Sequence, residues 1–167
     1  MRFFTEFIFL YENVELPDPT MFCKKIWKSE NFDSDGDFYY ENINNEWTEL
    51  YLEDRIDDTL FQMRVYREKS YYNLGEDILF LNQFIEKYIK AGKYNWVEGI
   101  KKIKIPAVTS LRVETSNLEK YEDYLETCYL FLQHTSGILV STGNLLEAKA
   151  FYDKFILPTN NPASPNL

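Results

Sequence analysis

Residues 37–67, DFYYENINNEWTELYLEDRIDDTLFQMRVYR, decide the fold that this sequence predicts. Asp37–Ile43 and Glu46–Glu53 have the composition of two β-strands, and Asn44-Asn45 between them suits a tight turn. Thr59–Arg67 alternates apolar with polar residues, so one of its faces is buried and the other meets water. The apolar positions are Phe61, Met63 and Val65, and the polar positions are Gln62, Arg64 and Tyr66. Three strands with short connections predict an antiparallel meander.

The segments on either side add helices and strands in mixed order. Further strands are predicted at Phe3–Tyr11, Lys101–Ile105, Ser110–Thr115 and Gly137–Ser141. Helices are predicted to start at Asp18-Pro19, to run over Glu76–Ala91, and to be capped by Asn117 and by Asn144. This mixture predicts a single α+β domain over residues 1–157, with a mainly antiparallel sheet of about five to six strands and about four helices. Residues 158–167, rich in Pro, Asn and Ser, are predicted to form a disordered C-terminal tail.

The net charge of −9 limits the partners that this chain can bind. Binding to nucleic-acid phosphates or to an anionic membrane needs a basic surface, so we expect neither direct nucleic-acid contact nor membrane association. A basic protein remains a suitable partner for an acidic chain.

Several features predict a cytoplasmic location. No apolar run approaches the length of about 20 residues that a bilayer-spanning helix needs. The apolar residues 3–10 are interrupted by Glu6, and no small-residue cleavage site follows them. Cys23 and Cys128 fall at apolar positions of predicted helices, where we expect buried free thiols.

Residues that often carry catalysis are sparse. The single histidine, His134, has no second histidine with which to share a metal, so we interpret it as structural or solvated. Ser141–Asn144 lies at a predicted strand-to-helix junction, where a helix N-terminus is able to bind an anion, although a helix cap is the simpler explanation. We predict a protein that is not an enzyme and needs no cofactor, with a small carboxylate- or metal-dependent enzyme as the alternative.

An acidic loop resembles the opening of an EF-hand calcium loop. Its alternate positions carry oxygen ligands, and Gly36 stands at the sixth position, where the loop turns. The twelfth position, normally a bidentate Glu, is Asn42, and a strand rather than a helix is predicted to follow. We interpret the loop as an acidic turn and keep it as a weak calcium candidate. The candidate ligands are Asn31, Asp33, Asp35 and Asp37.

The acidity of the chain is concentrated in residues 30–58. This stretch contains eleven acidic residues and one base, Arg55, which amounts to a charge of −10. The whole chain carries −9, so the rest of it is close to neutral. The same stretch contains Trp47 and several Tyr and Phe residues, a composition typical of interaction hot spots.

The turn at Asn44-Asn45 predicts which of these residues share a face. If the turn contains two residues, Ile43 lies opposite Glu46, and strict alternation sets the remaining register. One face then carries Tyr39, Ile43, Leu50 and Leu52. The other face, together with the following turn, is the candidate partner-binding site: Tyr40, Trp47, Glu49, Tyr51, Glu53, Asp54, Asp57 and Asp58. The alternative is that the aromatic residues pack under a helix and the acids are merely solvated.

Two segments of the C-terminal part, Pro106–Leu111 and Ser136–Asn144, resemble bacterial immunity proteins of polymorphic or contact-dependent toxin systems. The resemblance covers about a third of the chain. It implies a protein that binds a cognate toxin, often a basic nuclease, and occludes its active site. A phage-type inhibitor that mimics DNA is a further alternative, for which the charge should form phosphate-like rows across the surface.

Overall fold

The computed structural model describes most of the sheet and the C-terminal helices. The described residues are 1–16, 25, 36–43, 46–54, 58–67, 83, 86, 103–104, 106–142 and 145–160, and for 36–43, 46–54, 67, 106 and 159–160 the description covers the backbone alone. The helices predicted to start at Asp18-Pro19 and to run over Glu76–Ala91 lie outside the described residues, apart from Lys25, Gln83 and Glu86, which are exposed.

Six strands form one sheet in the order β2-β3-β4-β5-β1-β6, and every neighbouring pair is antiparallel. The strands are β1 (Phe3–Glu12), β2 (Gly36–Ile43), β3 (Glu46–Asp54), β4 (Thr59–Arg67), β5 (Pro106–Thr115) and β6 (Ile138–Leu139). The predicted α+β class, the antiparallel sheet and the meander of β2, β3 and β4 are therefore confirmed. The strand predicted at Phe3–Tyr11 is confirmed as well, and β1 lies between β5 and β6.

The inner face of the sheet carries the main hydrophobic core. On β1 the side chains of Phe7, Phe9 and Tyr11 are buried on this face. The register places them beside alternate residues of β5, and β4 continues the face with Phe61, Met63 and Val65. Each fully buried apolar side chain of this size contributes about 1.5–3 kcal/mol of transfer free energy, so this face accounts for much of the stability.

One long helix, α1 (Leu118–Thr135), covers the inner face. Asn117 caps it as predicted, since its Oδ1 accepts hydrogen bonds from Glu119 N–H (2.9 Å) and Lys120 N–H (3.4 Å). The Tyr124 hydroxyl donates to the carbonyl oxygen of Leu111 (2.8 Å), which ties the helix to β5. Cys128 is a buried free thiol, as predicted, and burial raises its pKa.

The end of α1 is closed by a turn with little space. Ser136 adopts a left-handed conformation with φ of 50°. A Cβ atom on Gly137 would lie 2.8 Å from Thr135 Oγ1 and 3.0 Å from the carbonyl oxygen of Leu10. Glycine is therefore required at this position because the backbone of β1 approaches too closely for a side chain.

The C-terminal part differs from its prediction. The strand predicted at Gly137–Ser141 is reduced to Ile138–Leu139, and the chain then turns back so that Leu146 bridges Leu139. The last helix starts at Ala148, not at Asn144: α2 (Ala148–Phe151) continues through a π-helical stretch (Tyr152–Ile156) into α3 (Leu157–Asn160). The helix N-terminus expected at Ser141–Asn144, whether as a cap or as an anion site, therefore lies farther along the chain, because the backbone of Leu146 pairs with Leu139 before the helix begins.

β5 also differs from its prediction. Pro106 was predicted to end a strand at Lys101–Ile105, but it begins the ten-residue strand β5. A proline is acceptable as the first residue of a strand because it removes no hydrogen bond from the ladder interior. Of the predicted short strand only Ile103 and Lys104 are described, and neither belongs to a strand.

In the described part of the chain, no helix is long and apolar enough to cross a membrane.

Candidate interaction surface

The outer face of the sheet, opposite α1, changes character along its length. At one end Leu10, Val108, Ile138 and Val140 form a second buried apolar cluster. At the other end the same face carries charged and polar side chains around one exposed phenylalanine. We call this end the outer polar face. Its described residues are Arg2, Phe4, Glu6, Asp58, Leu60, Gln62, Arg64, Ser110, Arg112 and Glu114.

Ion pairs of mixed sign organise the outer polar face. Glu114 accepts from Arg2 Nη2 at 2.8 Å and lies 3.7 Å from Arg112 Nη2, so one carboxylate bridges two guanidinium groups. Arg2 Nη1 also lies 3.6 Å from Asp58 Oδ2. The Ser110 hydroxyl donates to Glu6. Pairs this exposed contribute little stability each, so their main consequence is a defined pattern of charge.

Phe4 is the most exposed aromatic ring among the described residues, with 61% of its surface accessible. The guanidinium carbon of Arg112 lies 4.8 Å above the centre of this ring, a cation–π contact. The Nε of Arg112 is buried and makes no hydrogen bond within the described part of the structure. An exposed ring stacked on an arginine is a composition enriched at protein interfaces.

The register extends the outer polar face onto β3. Glu49 pairs with Arg64, Tyr51 with Gln62, and Glu53 with Leu60. Directly opposed residues of an antiparallel pair share a face. The predicted site residues Glu49, Tyr51 and Glu53 therefore occupy outer-face positions, as a row beside the basic and polar residues of β4.

A β-bulge separates Tyr40 and Trp47 from this row, which corrects the predicted grouping. Ile43 does pair with Glu46, as the turn predicted, but the register shifts between Asn42 and Tyr40. Tyr40 consequently pairs with Leu50, and Leu50 pairs with the buried Met63. Since Asn42 pairs with Trp47, both Tyr40 and Trp47 occupy inner-face positions by register.

The same bulge moves the residues that were predicted to form the apolar face. Leu50 and Leu52 pair with Met63 and Phe61, so they occupy inner-face positions as predicted. Tyr39 pairs with Tyr51 and therefore lies in register with the outer face instead. Strict alternation failed because Thr48 and Glu49 stand together opposite Glu41, which shifts the phase of β3 by one residue.

The three acids predicted at the turn after β3 are divided as well. Asp54 ends β3 and pairs with the buried Thr59, so it is in phase with the inner face. Asp58 is exposed with φ of 48° and lies near Arg2 on the outer polar face. Asp57 lies outside the described residues.

Two other predicted features are the calcium candidate, which is described only in part, and His134. Of the calcium candidate, Asn31, Asp33 and Asp35 lie outside the described residues, and Asp37 belongs to β2, so a strand does follow the loop. Within the described part of the chain, no group of three or more His, Cys, Asp or Glu is placed to hold a metal ion. His134 is exposed in the last turn of α1, where a cation complements the helix dipole.

A second surface feature is an acidic groove of about 560 Å³ along α1. Lys25 bridges Glu126 and Asp123 at its rim, and its hydrogen bond with Glu126 raises the pKa of the ammonium group. Burial raises the pKa of Asp123 even though Lys25 acts in the opposite direction. Glu126 is therefore the principal partner of Lys25. The carboxylates of the groove that belong to the described residues come from one helix: Glu119, Glu122, Asp123 and Glu126.

Sequence reasoning did not identify the basic side of the outer polar face. Arg112 and Glu114 alternate with buried Leu111 and Val113 along β5, so their outward direction could be read from the sequence. Their proximity to Arg2 and to β3 could not be read in this way, because it depends on the strand order.

No family model matches the chain, and no curated protein or solved structure is significantly similar to it.

Proposed function

We propose that this chain is a non-catalytic binding protein, an immunity protein that neutralises a cognate basic toxin with the outer polar face. One observation carries the proposal: the register sets Glu49, Tyr51 and Glu53 in a row on the outer face, within a segment that contains the whole excess of negative charge. Acidic residues accelerate encounter with a basic partner, and an aromatic residue among them contributes affinity. The same proposal takes residues 1–157 as one cytoplasmic α+β domain with about four helices.

The mixed charge of the face favours a protein partner over mimicry of DNA. A DNA mimic needs rows of negative charge that resemble phosphates. The described part of the outer polar face instead alternates Glu6, Glu114 and Asp58 with Arg2, Arg64 and Arg112. This pattern suits a protein surface that itself carries both signs of charge.

The enzyme alternative has less support. A hydrolytic site usually gathers carboxylates from distant segments around a reacting atom. In the described residues, the carboxylates that share a groove lie on successive turns of α1, and Lys25 already bridges two of them. Such a row is the common arrangement of a solvated helix face.

The immunity function predicts a toxin gene next to the gene of this chain. The test uses the toxin domain that such a neighbouring gene encodes, produced together with the chain in a bacterial host. We expect the wild-type chain to restore growth and to bind the purified toxin domain. The double variant Glu49→Lys/Glu53→Lys should raise Kd by at least about a hundredfold, because two charge reversals at an interface each cost about 1.5 kcal/mol or more.

The matched control is Glu119→Lys/Glu122→Lys, which changes the net charge equally on α1, at the other side of the sheet. It should leave Kd within about threefold of wild type. If both double variants weakened toxin binding equally, affinity would depend on net charge alone, and this result would contradict the proposed face. A chain that neither binds the toxin domain nor restores growth would contradict the immunity function itself.

A further inference from the structure

Within the described residues, one side of β1 is an open strand edge over part of its length. β5 pairs with β1 from Phe3 to Glu12, but on the opposite side β6 pairs only with Phe9 and Leu10. On this side, Ile8 is the first residue of β1 whose backbone groups are hydrogen-bonded by the segment around β6. Its carbonyl oxygen accepts from Val140 N–H (2.9 Å), and its own N–H donates to Ser141 Oγ (3.1 Å).

The backbone groups of Phe4 and Glu6 point to the open edge. Both backbone groups of Ile8 point away from β5, and direction alternates with a period of two residues along a strand. Phe4 and Glu6 therefore direct their N–H and C=O groups away from β5 as well. Among the described residues, nothing pairs with these four groups on the open side. Such an edge is a template for an additional strand.

Exposed apolar side chains flank this edge. Among the described residues, the exposed large apolar side chains are Met1, Phe4, Leu118 and Leu157. Met1 and Phe4 belong to the edge segment, whereas Leu118 follows β5, which pairs with the other side of β1. An apolar corner beside an unpaired edge favours contact with another chain over exposure to water.

We propose that β1 pairs with β1 of a second copy of this chain, antiparallel and about a two-fold axis at Phe4. Hydrogen bonding requires outward-directed residues to face each other, so even-numbered positions pair with even-numbered positions. With Phe4 opposite the partner's Phe4, Arg2 lies opposite the partner's Glu6, and Glu6 lies opposite the partner's Arg2. The pairing brings together two rings and two oppositely charged pairs on the outer face.

Competing registers lose these contacts. Placing Glu6 opposite the partner's Glu6 sets like charges against each other and brings Phe4 opposite Ile8, whose backbone groups are already bonded. Placing Phe4 opposite the partner's Glu6 brings Arg2 opposite Ile8 and meets the same obstruction. The symmetric pairing at Phe4 is the register that uses the open edge and leaves the bonds of Ile8 intact.

The dimer leaves the proposed toxin-binding row accessible. Two strands, β4 and β5, lie between β1 and β3, so the row is about 14 Å from the edge at a strand spacing of about 4.8 Å. Antiparallel pairing keeps the two outer faces on the same side of one continuous sheet. Self-association therefore leaves Glu49, Tyr51 and Glu53 accessible to a toxin, and the test below uses the purified chain alone.

The experiment is sedimentation equilibrium over a concentration series, with charge reversal and exchange at the edge. Wild type should show a weak, concentration-dependent monomer–dimer equilibrium. Arg2→Glu and Glu6→Arg should each raise the dimer Kd roughly tenfold or more, because each creates two like-charged contacts per dimer. The double variant Arg2→Glu/Glu6→Arg restores both opposite-charge pairs in reversed order and should return Kd to within about threefold of wild type.

Asp153→Arg is the control for charge, since it makes the same change as Glu6→Arg at an exposed position on the C-terminal helical segment. It should leave the dimer Kd unchanged. A disulfide readout gives an independent measurement: mild oxidation should link Phe4→Cys into a dimer, because paired Cα atoms lie about 5.5 Å apart, within reach of a disulfide. Leu157→Cys, the control at an exposed position away from the edge, should remain unlinked.

Three results would overturn the proposal. These are a wild-type chain that is monomeric throughout the series, an Asp153→Arg variant that weakens association as much as Glu6→Arg, and a double variant that fails to recover. Circular dichroism of each variant separates loss of pairing from loss of fold. Unfolding of the edge variants is not expected, since Phe4 and Glu6 are both exposed.

Discussion

Strands β4, β5 and β1 pair without interruption, whereas β3 pairs with β2 through a bulge. In the first region, one known pair sets the face of every residue over the shared strand length, and the side chains of the main core fall on the side covered by α1. In the second region, one extra residue on β3 reverses the phase. A hairpin that looks regular in sequence therefore divides its aromatic and acidic residues between two faces.

The comparison teaches where alternation is reliable. Where α1 covers one face of a strand, burial fixes the register of that strand, because a shift by one residue would expose Phe61 or Met63 to water. No equivalent signal in residues 46–50 distinguishes a regular strand from a bulged one, because Trp47, Thr48, Glu49 and Leu50 are compatible with either phase. The predictions below disturb each region in turn.

The largest effect is expected in the uninterrupted region. Phe131 is fully buried and packs against Phe9 and Tyr11, with ring centres 5.5 and 5.4 Å away. Phe131→Ala should lower the free energy of unfolding by about 3–5 kcal/mol, measured by urea denaturation, because it leaves a cavity between helix and sheet. Gln133→Ala, at an exposed position on the same helix, should change it by less than about 0.5 kcal/mol. Similar losses for both variants would argue against α1 covering this face.

Shortening β2 opposite the bulge should disturb the second region. Deletion of Glu41 makes the inner-face residues Tyr40 and Asn42 neighbours in the chain, so residues on one side of the bulge have to change face. We expect a loss of roughly 2–3 kcal/mol in unfolding free energy. Glu41→Ala keeps the residue count and should cost less than about 1 kcal/mol. In the wild type, a cross-strand nuclear Overhauser effect should join Tyr40 to Leu50. Observation of a Tyr40–Glu49 pair in its place would contradict the bulge.

A smaller loss is expected at the close approach between β1 and the end of α1. Gly137→Ala places a methyl group 3.0 Å from the backbone oxygen of Leu10, which cannot move without disturbing β1. The unfolding free energy should fall by about 1–2 kcal/mol in thermal or urea denaturation. Ser136→Gly, which relieves the left-handed conformation next to it, should be neutral or slightly stabilising. An unchanged Gly137→Ala variant would show that β1 and this turn are farther apart.

The smallest effect concerns a single carboxylate. Burial raises the pKa of Asp123 above its ordinary value of 3.8, so the folded state favours the protonated form. A folded-state pKa above the unfolded one adds stability below the unfolded pKa, and that stability is lost as pH rises through the folded pKa. Asp123→Asn should therefore stabilise the protein slightly at neutral pH, by less than about 1 kcal/mol, and the gain should vanish at low pH. A destabilised variant at neutral pH would mean that Lys25 outweighs burial.

Much of the fold was predictable because local patterns report it directly. Alternation located β4, the spacing of apolar residues located α1, and Asn117 identified the helix start, since an Asn side chain satisfies exposed N–H groups there. The C-terminal segment was less predictable. Gly137–Ser141 is apolar enough for a longer strand, but the return of Leu146 to Leu139 shortens β6 and delays the helix to Ala148.

The candidate site was predictable only in part. Glu49, Tyr51, Glu53 and Asp58 were found from composition, because a local charge of −10 is a property of the sequence. Arg2, Phe4, Arg64 and Arg112 were missed because no local pattern links strands that lie about 50 to 110 positions apart. The open edge of β1 could not be predicted locally either, because it depends on β6 being two residues long.

By itself, the sequence determined the α+β class, the positions of most strands, the capped helix α1 and the concentration of acid in residues 30–58. These follow from side-chain periodicity and charge, which act over a few residues. Only the tertiary structure decided which residues face outward together. Strand order, the bulge opposite Glu41 and the short β6 depend on how distant segments pack, and packing free energy is shared among residues that the sequence does not place side by side.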